Sequence, residues 1–404
     1  MGRRFALLGP GLMLAAAAVG VSHLVQSTRV GSDYGFSLAW AIVLIAFLKY
    51  PAFRFAVDYA SATGTSLVRA YIGFGPVARA WLWLAFAVDM FIATAAVALV
   101  TAGLLISILH LPFSGPAVAL GIVVVSAALL VNGQYARAER IVKILVVLFS
   151  LFAALAALLA LPDLGSDGRG VFGAVSYDHS LVTFLIAVMG WMPLPMTGAL
   201  FLSMWAREKQ AASGGAFDRH AAIVDLRVGW LLTVVVALCF VVLGTAVLFQ
   251  VPRAVPESAG QFATELLGVF TSVVGAWAYP VIAVAALAVM WSTVVTLLDA
   301  LPRVTGRLAG SERFNVFLIV QVAGVAVVLL ALMSEFATFI DFATGAGFIS
   351  APAIAWYNYR AIMSSDVPDE FRPSRAYRAW HWSGFAALTL CALVFVMQRF
   401  GVWP

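Results

Sequence analysis

The chain is poor in charge and almost free of cysteine. Only 11% of its 404 residues are Asp, Glu, Lys or Arg, whereas a soluble domain averages about 25%. Its two cysteines, Cys239 and Cys391, both lie inside apolar segments, which argues against a disulfide framework or a cysteine metal cluster. The sequence also has no HExxH, GxSxG or Cys/His cluster, so it offers neither a metal triad nor an activated nucleophile. We therefore expect no enzyme.

Apolar residues make up 63% of the chain, and the mean hydropathy is +1.01. Runs long enough to cross about 30 Å of hydrocarbon recur along the whole length, which predicts an all-α integral membrane protein with a single transmembrane domain, residues 1–404. A short amphipathic helix is expected outside the membrane, at Gln261–Phe270. Eleven transmembrane helices are predicted, at about 7–34, 36–60, 80–108, 116–133, 141–162, 181–205, 226–249, 274–300, 314–333, 336–361 and 379–400.

The basic residues predict the orientation of these spans. Twenty of the twenty-four Lys and Arg residues fall on one side, within residues 3–4, 49–79, 137–143, 207–227, 303–313 and 360–378. The positive-inside rule then places the N-terminus in the cytoplasm and the C-terminus outside. The net charge of +5 does not indicate nucleic-acid binding, because these residues are spread over loops. We expect a monomer in the plasma (inner) membrane, whose partners are the lipid bilayer and a small-molecule or ion substrate.

Two of the predicted spans are interrupted. Span one becomes polar at Gly20–His23, and span six, FLIAVMGWMPLPMTGALFLSMW, contains Gly190, Pro193 and Pro195. Proline breaks helical hydrogen bonding, and freed backbone groups are tolerated at membrane depth only where they line a cavity or are buried in protein. Alone, span six would be a simple proline kink. Paired with the break in span one, it predicts a five-plus-five inverted repeat with the substrate between the breaks. The repeats are expected at about 7–162 and 181–361, followed by an extra helix at about 379–400.

Three stretches of the chain resemble one transporter family. They are GPGLMLAAAAVGVSHLVQSTRVGSDYGFSLAW at 9–40, ASATGTSLVRAY at 60–71 and AWAYPVIAVAALAVMWSTVVT at 276–296. They are similar to the first, second and eighth helices of the Nramp family of proton-coupled divalent-metal transporters, and the first stretch aligns without a gap. The resemblance implies the LeuT-type fold, with broken helices 1 and 6, and secondary active transport by alternating access, including symport.

The metal chemistry of that family is not repeated in this sequence. The resemblance places the family's helix-one motif Asp-Pro-Gly-Asn at Gly20-Val21-Ser22-His23, and its helix-six Met-Pro-His at Met192-Pro193-Leu194. The helix-three pair Asp-x-x-Glu, associated with proton movement, is reduced to Asp89 with Ile92. We therefore expect a divergent member that has kept the scaffold and changed its substrate.

The residues at the two breaks favour a small anion over a hard divalent cation. Mn²⁺ and Fe²⁺ prefer anionic oxygen ligands, whereas the breaks offer one imidazole, methionine sulfurs and backbone carbonyls. The positive ends of the half-helices, with His23 as a donor and Arg29 at the outer mouth, favour bicarbonate or a short organic acid. The candidate substrate-binding residues are Gly20, Val21, Ser22, His23, Met189, Gly190, Met192 and Pro193.

Several alternatives stay open from the sequence. His23 is an interhelical hydrogen-bonding residue if it has no ligand role, and Arg29 is as readily explained as a snorkelling residue at the membrane interface. A divalent-metal transporter would have to use His23 and Met192, because none of the usual family ligands is retained. A different class of function is a non-transporting sensor or receptor on a transporter scaffold.

The expected coupling ion is Na⁺ or H⁺, and no other cofactor is expected. In LeuT-type folds a sodium ion can lie between carbonyls of broken helix one and hydroxyls of helix eight, where this chain has Ser292, Thr293 and Thr296. The competing interpretation is that these hydroxyls bond only to their own helix. Asp89 and Asp341 are the candidate proton carriers.

Asp341 has a second interpretation, because it precedes a flexible TGAGF sequence that resembles a gate hinge more than a ligand site. Asp299 lies one turn from Arg303 near a helix end, so these two residues should form a structural ion pair.

Overall fold

The computed structural model describes residues 9–131, 135–165, 170–176, 178–214, 216–251, 256–332 and 335–402, and only the backbone of 135–146. Helices make up nearly all of this part of the chain. In chain order they are α1 Pro10–Ala18, α2 Ser22–Tyr34, α3 Phe36–Thr63, α4 Leu67–Gly73, α5 Pro76–Leu109, α6 Gly115–Val131, α7 Tyr135–Ala160, α8 His179–Trp191, α9 Gly198–Ala212, α10 Arg219–Leu248, α11 Ala259–Val274, α12 Ala276–Leu308, α13 Phe314–Ala331, α14 Phe336–Ile362 and α15 Arg375–Arg399.

The protein is an integral membrane protein. Seven described helices, α3, α5, α10, α12, α13, α14 and α15, are long and apolar enough to cross a membrane. The pair α1 and α2 makes an eighth span, bent by 55° at its break. Shorter apolar helices occupy the places of predicted spans four, five and six. Each predicted span thus coincides with a helix or a helix pair, whereas the total of eleven crossings stays a prediction.

Both predicted interruptions are present. α1 ends at Ala18 and α2 begins at Ser22, while α8 ends at Trp191 and α9 begins at Gly198. The predicted amphipathic helix is α11, which lies between the end of α10 and the start of α12. We call the face at which α1 begins the N-terminal face, and the face at which α2 ends the far face.

Polar caps define where several helices start. Asp178 precedes α8 and accepts hydrogen bonds from the backbone N–H of Leu181 at 3.0 Å and the Ser180 hydroxyl at 2.6 Å, and these donors lower the pKa of its carboxyl. Ser258 caps α11 in a reciprocal pair with Gln261, three residues on. These caps satisfy N–H groups that a helix leaves unpaired at its first turn.

The broken first span is held against α10 along its whole length. Asp225 of α10 accepts hydrogen bonds from the backbone N–H groups of Gly9 and Gly11, and so caps the start of α1. A Cβ atom at Gly11 would meet the backbone of Asp225, and one at Gly31 of α2 would meet the Val241 carbonyl and the Thr245 amide. Such close backbone approach is typical of membrane helices, where small residues replace the hydrophobic effect as the basis of packing.

Gly31→Ala is therefore expected to destabilise the protein by about 1–3 kcal/mol, because the new methyl group overlaps the backbone of α10. Gly121→Ala in α6 is the matched control, since a Cβ there meets nothing within 4 Å. The measurement is the apparent unfolding temperature of both purified variants in the same detergent. Equal temperatures for the two variants would contradict the close contact of α2 with α10.

Candidate functional site

A small pocket lies between the two broken helices and the long helices α5 and α12. Its volume is about 70 Å³. It is lined by Ala17, Asp89, Ala93, Val97, Trp191, Leu194, Pro195, Gly198, Phe201, Trp205, Thr293, Thr296, Leu297 and Ala300. Among these residues Asp89 carries the only charge, and three aromatic side chains from the broken α8–α9 span form much of the wall. The pocket is therefore apolar except for one carboxylate and two hydroxyls.

Asp89 is placed by a widened turn within α5. Residues Val88–Ala93 form a π-helical turn, a distortion that often occurs at functional positions. The Thr94 hydroxyl donates to the Asp89 carbonyl at 3.0 Å and accepts a hydrogen bond from the Gln321 amide of α13 at 3.0 Å. Because these bonds satisfy the widened turn, the chain can turn the buried Asp89 side chain toward the pocket.

The break between α8 and α9 is organised by Lys49 of α3. Lys49 is fully buried, and its ammonium lies 2.9 Å from the Met189 carbonyl oxygen, 2.8 Å from that of Gly190, 2.9 Å from that of Met192 and 3.1 Å from that of Leu194. These are the carbonyls at the negative end of α8 and in the unwound segment after it. Lys49 therefore satisfies the backbone that the helix break releases.

The break between α1 and α2 is organised by His23. Its Nε2 lies 3.0 Å from the carbonyl oxygen of Thr233 in α10, and its Nδ1 lies 2.9 Å from the Ser22 hydroxyl. Since a carbonyl only accepts, Nε2 carries a proton, and in the neutral imidazole Nδ1 is then an acceptor for the Ser22 hydroxyl, which is also 3.3 Å from the Ala18 carbonyl oxygen. Both ring nitrogens are thus used within the protein, and His23 is fully buried and does not line the pocket.

The side chains of the far face form a separate network. The Arg29 guanidinium of α2 binds Asp341 of α14 through two contacts, at 2.6 Å and 3.3 Å. Gln26 donates to both Asp341, at 2.9 Å, and Thr344, at 3.2 Å. The Arg29 guanidinium also lies 4.9 Å from the centre of the Phe184 ring of α8. This network ties three helices together below the mouth of the far face.

A larger cavity of about 470 Å³ opens above that network. It is lined by residues of α2, α11 and the start of α14, among them Thr28, Arg29, Glu265, Phe336 and Ala337. No residue lines both this cavity and the inner pocket. Arg29 itself lines this cavity, so the Arg29–Asp341 network borders the cavity of the far face and contributes no residue to the inner pocket.

Comparison with known proteins assigns the family. The family model described as "Natural resistance-associated macrophage protein-like", or Nramp, matches residues 11–398. The chain belongs to the Nramp family. A curated relative, an uncharacterized protein of Pasteurella multocida (strain Pm70), is 30% identical over 98% of this chain and 93% of its own length.

Solved structures share the fold of this Nramp chain. The manganese transporter of Eremococcus coleocola, in complex with an aromatic bis-isothiourea substituted compound, superposes with a TM-score of 0.70 over 99% of this chain and 89% of its own, at 14% identity. A nucleobase-cation-symport-1 family transporter with bromovinylhydantoin bound gives a TM-score of 0.54 at 17% identity, over 96% and 89% of the two chains. The chain thus has a LeuT-like fold and is a secondary transporter, not an enzyme.

The pocket of the Nramp chain includes few of the residues expected from the sequence. Asp89, Thr293 and Thr296, expected as coupling residues, do line it. The residues expected to bind the substrate do not line this pocket. Gly20, Val21, Ser22, His23, Met189, Gly190, Met192 and Pro193 are buried and absent from the lining.

One of these positions has a clear packing role. A Cβ at Gly190 would meet the Thr344 carbonyl, so this glycine lets α8 approach α14. Gly20 lies against Thr293, where a Cβ would make ordinary contacts at 3.7 Å. The break in α1–α2 is therefore close to α12 but presents no side chain there.

The hydroxyls of α12 donate to their own helix. Ser292 donates to the Val289 carbonyl at 2.7 Å and Thr293 to the same carbonyl at 3.2 Å, which is the competing interpretation of the sequence. Their lone pairs remain able to contact an ion, so the sodium site stays a prediction. The Asp299–Arg303 pair is confirmed at 2.7 Å. In the described residues no group of three or more His, Cys, Asp or Glu side chains is arranged to hold a metal ion.

Lys49 is the functional residue that reasoning from the sequence missed. It was counted among the basic residues of one membrane face, within 49–79, but it lies at the centre of the bundle. A signal was present, because Lys49 follows a long apolar run and immediately precedes Tyr50 and Pro51 within one helix. A lysine inside a span indicates an internal partner.

His23→Ala is expected to lower the free energy of unfolding by about 2–4 kcal/mol, because it removes two buried hydrogen bonds and leaves a cavity. Cargo affinity should change little, since the imidazole does not line the pocket. Thermal unfolding and ligand titration of the same purified variant measure both quantities. If His23→Ala left stability unchanged and weakened cargo binding, His23 would be a substrate-binding residue, as the sequence predicted.

The Arg29–Asp341 pair should show a coupling energy of about 1–2 kcal/mol in a double-mutant cycle of Arg29→Gln and Asp341→Asn, because it is bidentate and mostly buried. The cycle of Arg303→Gln and Asp299→Asn is the control, since Arg303 is 54% exposed and exposed pairs contribute about 0.2–1 kcal/mol. The cycles are measured by thermal unfolding. A coupling no larger than that of the control would show that this pair contributes no more to holding α2 against α14 than an exposed ion pair does.

Proposed function

We propose that this Nramp protein exchanges a small monovalent organic cation for a proton, with Asp89 as the group that binds either one. The observation that carries this proposal is the lining of the inner pocket, in which the one charged side chain is a buried carboxylate surrounded by aromatic rings. The cargo is a compact ammonium compound. Its binding site lies beside the two helix breaks.

The chemistry of the pocket favours a cation with an organic surface. Trp191, Phe201 and Trp205 supply ring faces, which attract ammonium groups by the cation–π interaction, strongest where water is excluded. Asp89 supplies the opposite charge. The Trp191 indole N–H is buried without a hydrogen-bond partner and lies against Gly347 of α14. At about 70 Å³, the pocket is far smaller than the 300–1,000 Å³ typical of drug-sized ligands.

The anion expected from the sequence fits this pocket poorly. Its expected donor, the His23 imidazole, is already bonded to Thr233 and Ser22, and Arg29 is paired with Asp341 outside the pocket. The remaining charge, on Asp89, repels an anion. No finding supports an anion cargo, and the lining argues against it.

A divalent metal ion is the competing cargo, because a manganese transporter shares this fold. Hard divalent cations need several oxygen ligands with negative charge, whereas the pocket offers one carboxylate and two hydroxyls. The carbonyl oxygens of the break between α8 and α9 are already engaged by Lys49. One carboxylate balances the charge of a monovalent cation but only half the charge of a divalent one.

The single carboxylate in the pocket also determines how cargo movement is coupled to proton movement. Because Asp89 cannot hold a proton and a cation at once, cargo release on one side is favoured by protonation there. This arrangement supports exchange of cargo for a proton, in place of the symport expected from the sequence.

The test uses tetramethylammonium, which cannot cross a bilayer by losing a proton. Uptake into proteoliposomes should be saturable and driven by an outward proton gradient. Asp89→Asn should weaken tetramethylammonium binding about 10–100-fold, because a hydrogen bond or contact to a charged group contributes roughly 1.5–3 kcal/mol. The affinity of the parent should fall as pH is lowered through the titration of Asp89, and this pH dependence should be absent in Asp89→Asn.

Asp299→Asn is the control, because it removes a carboxylate that is paired with Arg303 outside the pocket. It should leave both affinity and pH dependence unchanged. Saturable Mn²⁺ uptake that Asp89→Asn abolishes would replace this proposal with metal transport. Binding of acetate or bicarbonate with no effect of tetramethylammonium would restore the anion prediction.

A further inference from the structure

The Lys49 ammonium has the surroundings of a coordinated ion. Four carbonyl oxygens lie between 2.8 and 3.1 Å from its nitrogen. An ammonium group has three N–H donors, so four acceptors at nearly equal distances cannot each receive a separate hydrogen bond. The oxygens surround the charge itself, as carbonyl oxygens do around a dehydrated cation in a selectivity filter.

Among the described residues, every hydrogen bond of the Lys49 ammonium goes to a backbone carbonyl oxygen. None of the described ion pairs includes Lys49, and its side chain is fully buried. Met189 and Gly190 belong to the last turn of α8, whose carbonyls carry the negative end of the helix dipole. The Phe348 ring, centred 5.7 Å from the nitrogen, adds a further weak attraction. A cation is therefore the species that this part of the break binds best.

We propose that the four carbonyl oxygens of Met189, Gly190, Met192 and Leu194 form a binding site for a monovalent cation, which the chain fills with its own tethered ammonium. The bound cation fixes the unwound segment between α8 and α9, and thereby one wall of the inner pocket. Because this group is covalently attached, the site needs no ion from solution. The inference does not depend on the identity of the cargo.

The experiment removes the tethered cation and supplies a free one. Purified parent, Lys49→Ala and Lys49→Met proteins are unfolded thermally in increasing ammonium, methylammonium, potassium or sodium chloride. Each series is compared with N-methyl-D-glucamine chloride at the same ionic strength. Lys49→Ala should unfold at a lower temperature than the parent, and ammonium or potassium should raise that temperature saturably by about 2–4 °C or more.

Three controls separate a cation site from a structural lysine. The parent and Lys209→Ala, which lacks a lysine outside the site, should show no ion-specific shift. Lys49→Met should resist rescue, because its side chain fills the space that the free cation would occupy. If Lys49→Ala cannot be purified in N-methyl-D-glucamine chloride, recovery of monodisperse protein with ammonium or potassium present is the supporting result.

The proposal is overturned if no small cation stabilises or recovers Lys49→Ala. It is also overturned if Lys49→Gln, which is neutral but keeps two N–H donors, is as stable as the parent, because hydrogen bonds without charge would then suffice. Failure of tetramethylammonium to bind the inner pocket would leave this result unchanged, since the two tests use different sites and different variants.

Discussion

A helix that is broken inside a membrane releases backbone carbonyls, and no water is present there to hydrogen-bond them. In this protein one side chain meets that need at the break between α8 and α9, where the Lys49 ammonium is surrounded by four carbonyl oxygens. The unwound segment keeps its shape because this contact holds it to α3. The inner pocket depends on that shape, since Trp191, Leu194 and Pro195 belong to its wall.

The break between α1 and α2 is stabilised differently, through α10. His23 bonds to the Thr233 carbonyl, Asp225 caps the start of α1, and glycines allow α1 and α2 to approach the α10 backbone closely. One break is thus fixed by a charge from α3 and the other by neutral hydrogen bonds and close packing. Among the residues that line the inner pocket between these breaks, Asp89 carries the only charge.

The inner pocket and the Arg29–Asp341 network are built from different residues. The Arg29–Asp341 network borders the cavity of the far face, contributes no residue to the inner pocket, and involves α2, α8 and α14. Two of these helices, α2 and α8, border the two breaks, so the network is connected to both of them. A secondary transporter needs such a connection, because its binding site must face one side of the membrane at a time.

The sequence determined the class of protein, the position of both breaks and the resemblance to Nramp transporters, because apolar length, proline and local motifs are properties of continuous segments. It also indicated Asp89 as a coupling candidate and predicted the Asp299–Arg303 pair. Only the tertiary structure decided which way His23 points, that Arg29 pairs with Asp341 more than three hundred residues away, and that Lys49 lies beside the second break and not at a membrane face. The physical reason is that a buried polar side chain takes its role from the partner it meets, and these partners come from helices that are distant in the chain.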